Sequence, residues 1–164
     1  KGFTPEFARA MGTVVCSKAD IIDPNITEAA FMLGAEYKED GTYDEGYVRD
    51  LLQGLVALGP KKAVLTGVSL EPGRCGVYGL DGQTGEYFSY FNELVDARFH
   101  GTGDVFSSTT VGALLNGFSL DKALAVAADY TVACIKATIA QPDHNWYGVD
   151  FETEIPYLLK LIGK

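Results

Sequence analysis

The segment Phe99-His100-Gly101-Thr102-Gly103-Asp104-Val105-Phe106-Ser107-Ser108 decides how the rest of the chain is read. Two glycines flank Thr102, an acid follows, and a helical pattern begins at once. The loop is not a Walker A segment, because Gly-Lys-Ser/Thr is absent. Nor is it the dinucleotide fingerprint, which needs Gly where Phe106 stands. The physics is related all the same. Glycines let backbone come close to a ligand and turn several N–H groups towards one point. A helix N-terminus adds partial positive charge there. Such a loop suits the oxygens of a transferring phosphoryl group. Asp104, in the first turn, can accept a proton from an attacking hydroxyl. Spacing alone leaves a structural role open, since Asp is a favoured N-cap and Gly-x-Gly a common tight turn. The small residues Ser107 to Thr110, Gly112 and Ala113 suggest a helix end packed tightly against other backbone.

Outward from this loop, helices and short strands alternate. Residues 5–16 read as a helix with Thr4 as N-cap, Pro5 in the first turn, and Phe7, Met11, Val14 and Val15 on one apolar face. Asp20 to Asp23 is a short apolar stretch ended by Pro24. Asn25 to Leu33 is a helix stopped by Gly34. Asp44 to Leu58 is a longer helix with Val48, Leu51, Leu52, Leu55 and Val56 at helical spacing. Ala63 to Thr66 is a buried strand. Cys75 to Leu80 and Glu86 to Phe91 form a hairpin turning at Asp81 to Gly85. Asp104 to Asn116 is a helix whose stripe is Val111, Leu114, Leu115 and Phe118. Leu120 to Ile139 is apolar on most faces and is expected deep in the core. Residues 151–162 make a final amphipathic helix. The alternation predicts an α/β layer fold with a largely parallel sheet, whose ligands sit at the carboxyl ends of strands.

Composition sets outer bounds. The 164 residues fit one domain, and 47% hydrophobic with 21% charged residues is an ordinary globular profile. A net charge of −9 argues against a general nucleic-acid coat or a membrane-surface protein, both of which need a basic face. A small anion is still permitted, held by backbone N–H groups and a metal. Cys16, Cys75 and Cys134 are far apart and form no C-x-x-C pair. With only two His, a zinc site is not expected. The cysteines read as buried free thiols of a reducing, cytoplasmic compartment. No apolar run is expected to reach the ~20 residues of a membrane span.

Two further segments could carry chemistry. In Asp23-Pro24-Asn25-Ile26-Thr27-Glu28, Asn25 followed three residues later by Glu28 is close to a capping box, which alone would explain both. The functional alternative gives Glu28 a water-mediated hold on Mg²⁺ and Asn25 a reach to phosphate. In Leu65-Thr66-Gly67-Val68, a hydroxyl at a strand end followed by Gly could meet a phosphate, or could simply end a strand. His100 is read as a positioning or packing residue. His144 and Trp146 lie in a turn-rich loop and are read as capping the core. Ser69, Ser107 and Ser108 lack the G-x-S-x-G context of a hydrolase.

In this order, the pieces resemble the ribokinase-like superfamily, and within it the pyridoxal (pyridoxamine/pyridoxine) kinases. Pro24-Asn25-Ile26-Thr27-Glu28 resembles that family's P-N-x-x-E segment. Thr66-Gly67 falls at its phosphate-facing strand end, and Gly101-Thr102-Gly103-Asp104 resembles its G-T-G-D loop. The resemblance implies a three-layer α/β/α sandwich with a mostly parallel sheet. It also implies ATP-dependent phosphorylation of the 5′-hydroxymethyl group of a vitamin B6 compound. Asp104 would be the general base, and Gly101, Thr102, Gly103 and Asp104 the anion hole. Asn25, Thr66, Gly67, Phe99 and Thr102 would contact ATP, and Glu28 would hold Mg²⁺ through water. K⁺ as an assisting ion and a homodimer are further implications.

By the same resemblance, Lys1-Gly2-Phe3-Thr4-Pro5 corresponds to a point shortly after an Asp-Pro-Val-x-Gly-Asp-like segment. The chain is thus expected to be the C-terminal, nucleotide-binding portion of a kinase, with an exposed sheet edge. A hydroxymethylpyrimidine kinase of thiamine synthesis shares His100-Gly101-Thr102-Gly103 but usually has Cys where Asp104 stands. Sugar and nucleoside kinases tend to carry a Gly-Ala-Gly-Asp-type loop. A non-catalytic nucleotide-binding module is the reading from another class.

Overall fold

The computed structural model describes residues 4–97, 99–144 and 147–164. Trp146 and the opening Lys1-Gly2-Phe3 lie outside them. The chain divides into two compact units, Lys1–Ser89 and Tyr90–Lys164.

In the first unit, α1 (Pro5–Ala10) starts where expected, with the Thr4 hydroxyl accepting from the Phe7 amide at 3.2 Å. The helix then widens into a π-helical stretch, Met11–Val15, and tightens into a 3₁₀ turn, Cys16–Lys18. The expected apolar face is not the buried one. Phe7, Val14 and Val15 are about half exposed, while Ala8, Gly12 and Cys16 are buried. The reason is close approach: a Cβ on Gly12 would lie 3.3 Å from Leu58 Cδ1 and 3.7 Å from Met32 Cβ. Helices this near each other need small residues at the seam, which displaces the larger ones.

β1 (Ile21–Ile22) pairs in parallel with β2 (Lys62–Val68). Between them come α2 (Ile26–Leu33), closed by Gly34 at φ +64°, and α3 (Glu45–Ala57), capped by Asp44. Val48, Leu51, Leu52 and Leu55 of α3 are buried, as their spacing predicts. They pack beside the wholly buried run Ala63-Val64-Leu65 of β2.

β3 (Arg74–Asp81) pairs antiparallel with β2, and β4 (Tyr87–Glu93) lies beside β3, so the sheet order is β1-β2-β3-β4. The hairpin turns where expected: the Asp81 amide bonds Glu86 O at 2.9 Å, and the Asp81 carboxylate accepts from the amides of Gln83 and Thr84. The sheet is therefore mixed, not largely parallel. Connections this short, between Val68 and Arg74 and between Asp81 and Tyr87, permit only antiparallel neighbours, because a parallel crossover needs a dozen or more residues.

In the second unit, α4 (Thr102–Leu115) packs on α5 (Leu120–Ala140), and α6 (Ile155–Leu161) packs on α5. The buried side of α4 is Phe106, Thr109, Thr110 and Ala113, whereas Val111 is 55% and Leu115 83% exposed. The expected stripe of large residues is thus corrected to one of mostly small residues. α5 is buried at Ala123, Leu124, Val126, Ala127, Ala128, Tyr130, Cys134 and Thr138, as expected. Contrary to the sequence reading, α5 is long and apolar enough to cross a membrane by length and composition, and half of its apolar window is buried inside the protein. α6 is shorter than expected and buries no residue completely.

Candidate active site

In the first unit, the parallel pairing of β1 and β2 continues one step beyond the strands. Asn25 bridges to Thr66, and the Thr66 amide donates to Pro24 O at 3.0 Å. Two segments 41 residues apart thereby meet at the carboxyl end of the strands, the position where α/β sheets bind ligands. Asn25 and Glu28 form a full capping box. Asn25 Oδ1 accepts from the Glu28 amide at 2.9 Å, and Glu28 Oε2 accepts from the Asn25 amide at 2.9 Å. The capping reading is therefore correct, yet it uses only one polar atom of each side chain. Asn25 Nδ2, a donor, and Glu28 Oε1, an acceptor, have no partner among the described residues, and both side chains are exposed. The box thus fixes the rotamers of two groups whose remaining atoms face outward.

Gly67 interrupts β2 at φ +69°, where the register with β3 shifts between Thr66 and Val68. A Cβ there would meet nothing within 4 Å, so positive φ rather than crowding calls for glycine. The bulge breaks the register beside the Thr66 hydroxyl, and pairing resumes where Val68 meets Gly76.

In the second unit, Gly101 is the N-cap of α4 at φ +83°, with no side-chain cap. The first backbone bond of the helix runs from the Val105 amide to Gly101 O at 3.0 Å. The amides of Thr102, Gly103 and Asp104 precede it, and a helix leaves such amides without internal partners. Thr102 Oγ1 donates to Phe99 O at 3.3 Å and closes the loop on itself. Asp104 is the third helical residue and not the cap, so the N-cap explanation for this acid does not hold. Its carboxylate is exposed and makes no hydrogen bond or ion pair among the described residues. Asp104 also borders a groove of about 480 Å³ with Ser108 and Asn116 of α4, Tyr130 of α5, and Phe151 and Leu158.

Phe99 is half-buried and packs edge-on against His144, ring centres 5.6 Å apart at 83°. His144 Nδ1 lies 2.9 Å from Gln141 O. Sequence reasoning gave His144 no role beside Phe99, and no local pattern joins residues 45 positions apart. His100 is exposed. No group of three or more His, Cys, Asp or Glu capable of holding a metal occurs among the described residues. A metal held by one carboxylate through water, with the rest of its shell from phosphate, remains compatible with Glu28, because Mg²⁺ keeps several waters.

The family model of the phosphomethylpyrimidine kinases matches residues 3–148, and the chain belongs to that family. The pyridoxine kinase of Bacillus subtilis (strain 168) is 30% identical over 134 residues, covering 80% of this chain and 47% of that protein. A protein of Bacteroides thetaiotaomicron VPI-5482, solved in an orthorhombic form with pyridoxal, superposes with a TM-score of 0.84 at 30% identity, covering 98% of this chain and 55% of that one. The pyridoxal kinase of Lactobacillus plantarum superposes with a TM-score of 0.83 at 29% identity, covering 98% and 56%. The chain spans about half the length of the relatives it matches.

Proposed function

We propose that this member of the phosphomethylpyrimidine kinase family transfers the γ-phosphoryl group of ATP to the 5′-hydroxymethyl group of a vitamin B6 compound: pyridoxal, pyridoxamine or pyridoxine. The observation that carries the reading is the start of α4. A carboxylate without a partner among the described residues sits in the first turn of a helix, where the leading amides precede the first internal bond, and phosphoryl transfer needs both within a turn of helix. Asp104 takes the proton of the attacking hydroxyl, whose oxygen bonds to phosphorus as ADP leaves. The amides of Thr102, Gly103 and Asp104 hold the equatorial oxygens as their charge develops. The left-handed turn at Gly101 aims those amides together.

Asn25 Nδ2 and the Thr66 hydroxyl donate to the phosphate chain, and Gly67 leaves room for it. Phe99 stands by the nucleotide. Glu28 Oε1 accepts from a water of Mg²⁺, an ion that when bound offsets the charge between the phosphates. K⁺ is expected to assist. In this reading the chain is the nucleotide-binding portion of a ribokinase-like three-layer sandwich. It works in the cytoplasm, consistent with three free cysteines, and as a homodimer. Full turnover draws on the part of the relatives' length that the match does not cover.

A second reading, phosphorylation of hydroxymethylpyrimidine, is favoured by the family whose model matches. Asp104, in place of the Cys usual in those enzymes, favours vitamin B6. The test offers pyridoxal and hydroxymethylpyrimidine side by side with Mg·ATP, to the chain alone and to a form carrying the complementary half. The proposal expects pyridoxal 5′-phosphate as the main product of the longer form. Preferential phosphorylation of the pyrimidine would replace it with the second reading.

A further inference from the structure

The β2 bulge is held from both sides. The Thr66 amide is fixed by Pro24 O, and three residues later the Ser69 amide donates to the Tyr43 hydroxyl at 2.9 Å. That hydroxyl in turn donates to Asp40 Oδ1 at 3.3 Å, so both of its hydrogen-bonding capacities are used. Tyr43 is only 8% exposed. It immediately precedes Asp44, the cap of α3, and its ring lies 5.8 Å from that of Tyr47, whose own hydroxyl donates to Glu36 O at 2.7 Å. It is therefore anchored to a helix start rather than to a loose loop. Burial pushes its hydroxyl up to about 12 from the usual 10, so it stays protonated and keeps both bonds at neutral pH. Beyond Ser69, the Ser69 hydroxyl donates to Arg74 O at 2.9 Å and closes the loop onto the start of β3.

We propose that Tyr43 is a positioning residue for nucleotide binding, which holds the Thr66-Gly67 bulge in its phosphate-facing shape through the Ser69 amide. Between the two anchors, Thr66 pairs with Val77 and Val68 with Gly76 of β3, while Gly67 stands outside that ladder with the conformational freedom that would otherwise let the turn relax. The inference rests on the reading of Thr66 as a phosphate contact.

The test is a double-mutant cycle of Tyr43→Phe and Thr66→Val in the full chain, read by titration calorimetry with Mg·ATP and by thermal melting. Tyr43→Phe is expected to raise the Kd about fivefold, the scale of one net hydrogen bond. On the Thr66→Val background it is expected to raise it by less than about 1.5-fold, because the group being positioned is gone. An equal factor in both backgrounds, or none in either, overturns the role of Tyr43 and leaves Thr66 standing. An unchanged Kd for Thr66→Val alone overturns the Thr66 reading itself. Ser69→Pro, which deletes the same amide donor together with the hydroxyl bond to Arg74 O and spares the tyrosine, serves if Tyr43→Phe does not fold. It is expected to raise the Kd at least as much, and an unchanged Kd for this variant also overturns the proposal.

Discussion

The Asn25–Thr66 corner and the Gly101–Asp104 loop prepare polar groups for phosphate by opposite means. At the corner, the side chains first serve the fold. One oxygen of Asn25 and one of Glu28 close the capping box of α2, and only the leftover atoms are available to a ligand. At the loop only the Thr102 hydroxyl is spent on structure, in its bond to Phe99 O. Gly101 caps α4 by backbone conformation alone, and Asp104 has no partner among the described residues. Substitutions at the corner should therefore cost stability and binding together, while substitution of Asp104 should cost chemistry alone.

The largest effect expected is at Asp104. In a turnover-competent form, Asp104→Asn should lower kcat by about 10²–10⁴-fold, the usual worth of a general base. Melting temperature and Mg·ATP affinity should be unchanged. A parallel loss of stability would erase the contrast between the two regions.

Gly101→Ala probes the same loop through its backbone. The added Cβ meets nothing within 4 Å, so the cost is that of φ +83° alone, roughly 1–2 kcal/mol. If the chain instead relaxes out of the left-handed turn, the melting temperature holds while turnover falls. Either result separates strain from anion-hole shape when melting and kcat are read together.

Asn25→Ala should remove about 1 kcal/mol of capping and lower the melting temperature by roughly 2–4 °C. It should also weaken Mg·ATP binding. Loss of stability with unchanged affinity would return this corner to a purely structural role.

The smallest effect concerns alkaline pH, and it distinguishes the units by their buried acids. Tyr43 in the first unit and Tyr130 in the second are pushed to about 12, and Cys134 to about 11, in each case mainly by burial. Their folded pKa values lie above the unfolded ones, so the protonated form is the one that folding favours. The stability they contribute is present below about pH 9 and is lost as pH rises through 9–12. Tyr43→Phe should flatten part of that decline in urea unfolding, and Cys134→Ala another part.

Much of this was legible in the sequence, because caps and turns are local. Asn25 with Glu28, Gly34 after α2 and the turn at Asp81 to Gly85 all act over a few residues. Their structure follows their spacing. The burial faces of α1 and α4 were not legible. Counting large apolar residues picks Val14, Val15 and Leu115, but close helix contacts bury Gly12, Thr109 and Ala113 in their stead. The mostly parallel sheet failed for a related reason: the alternation of elements outweighed the shortness of two loops. At the site, the motifs named the residues but not their partners. That Asn25 sits beside Thr66, that His144 packs on Phe99, and that Tyr43 holds Ser69 are consequences of tertiary pairing, which no local pattern records.

Titration calorimetry of the full chain with ATP tests whether it holds a metal-bound nucleoside triphosphate. Saturable one-to-one binding is expected with Mg²⁺ present, weakened on the order of tenfold or more when EDTA removes the ion. A folded chain that binds no Mg·ATP, or binds ATP equally well in EDTA, would contradict it.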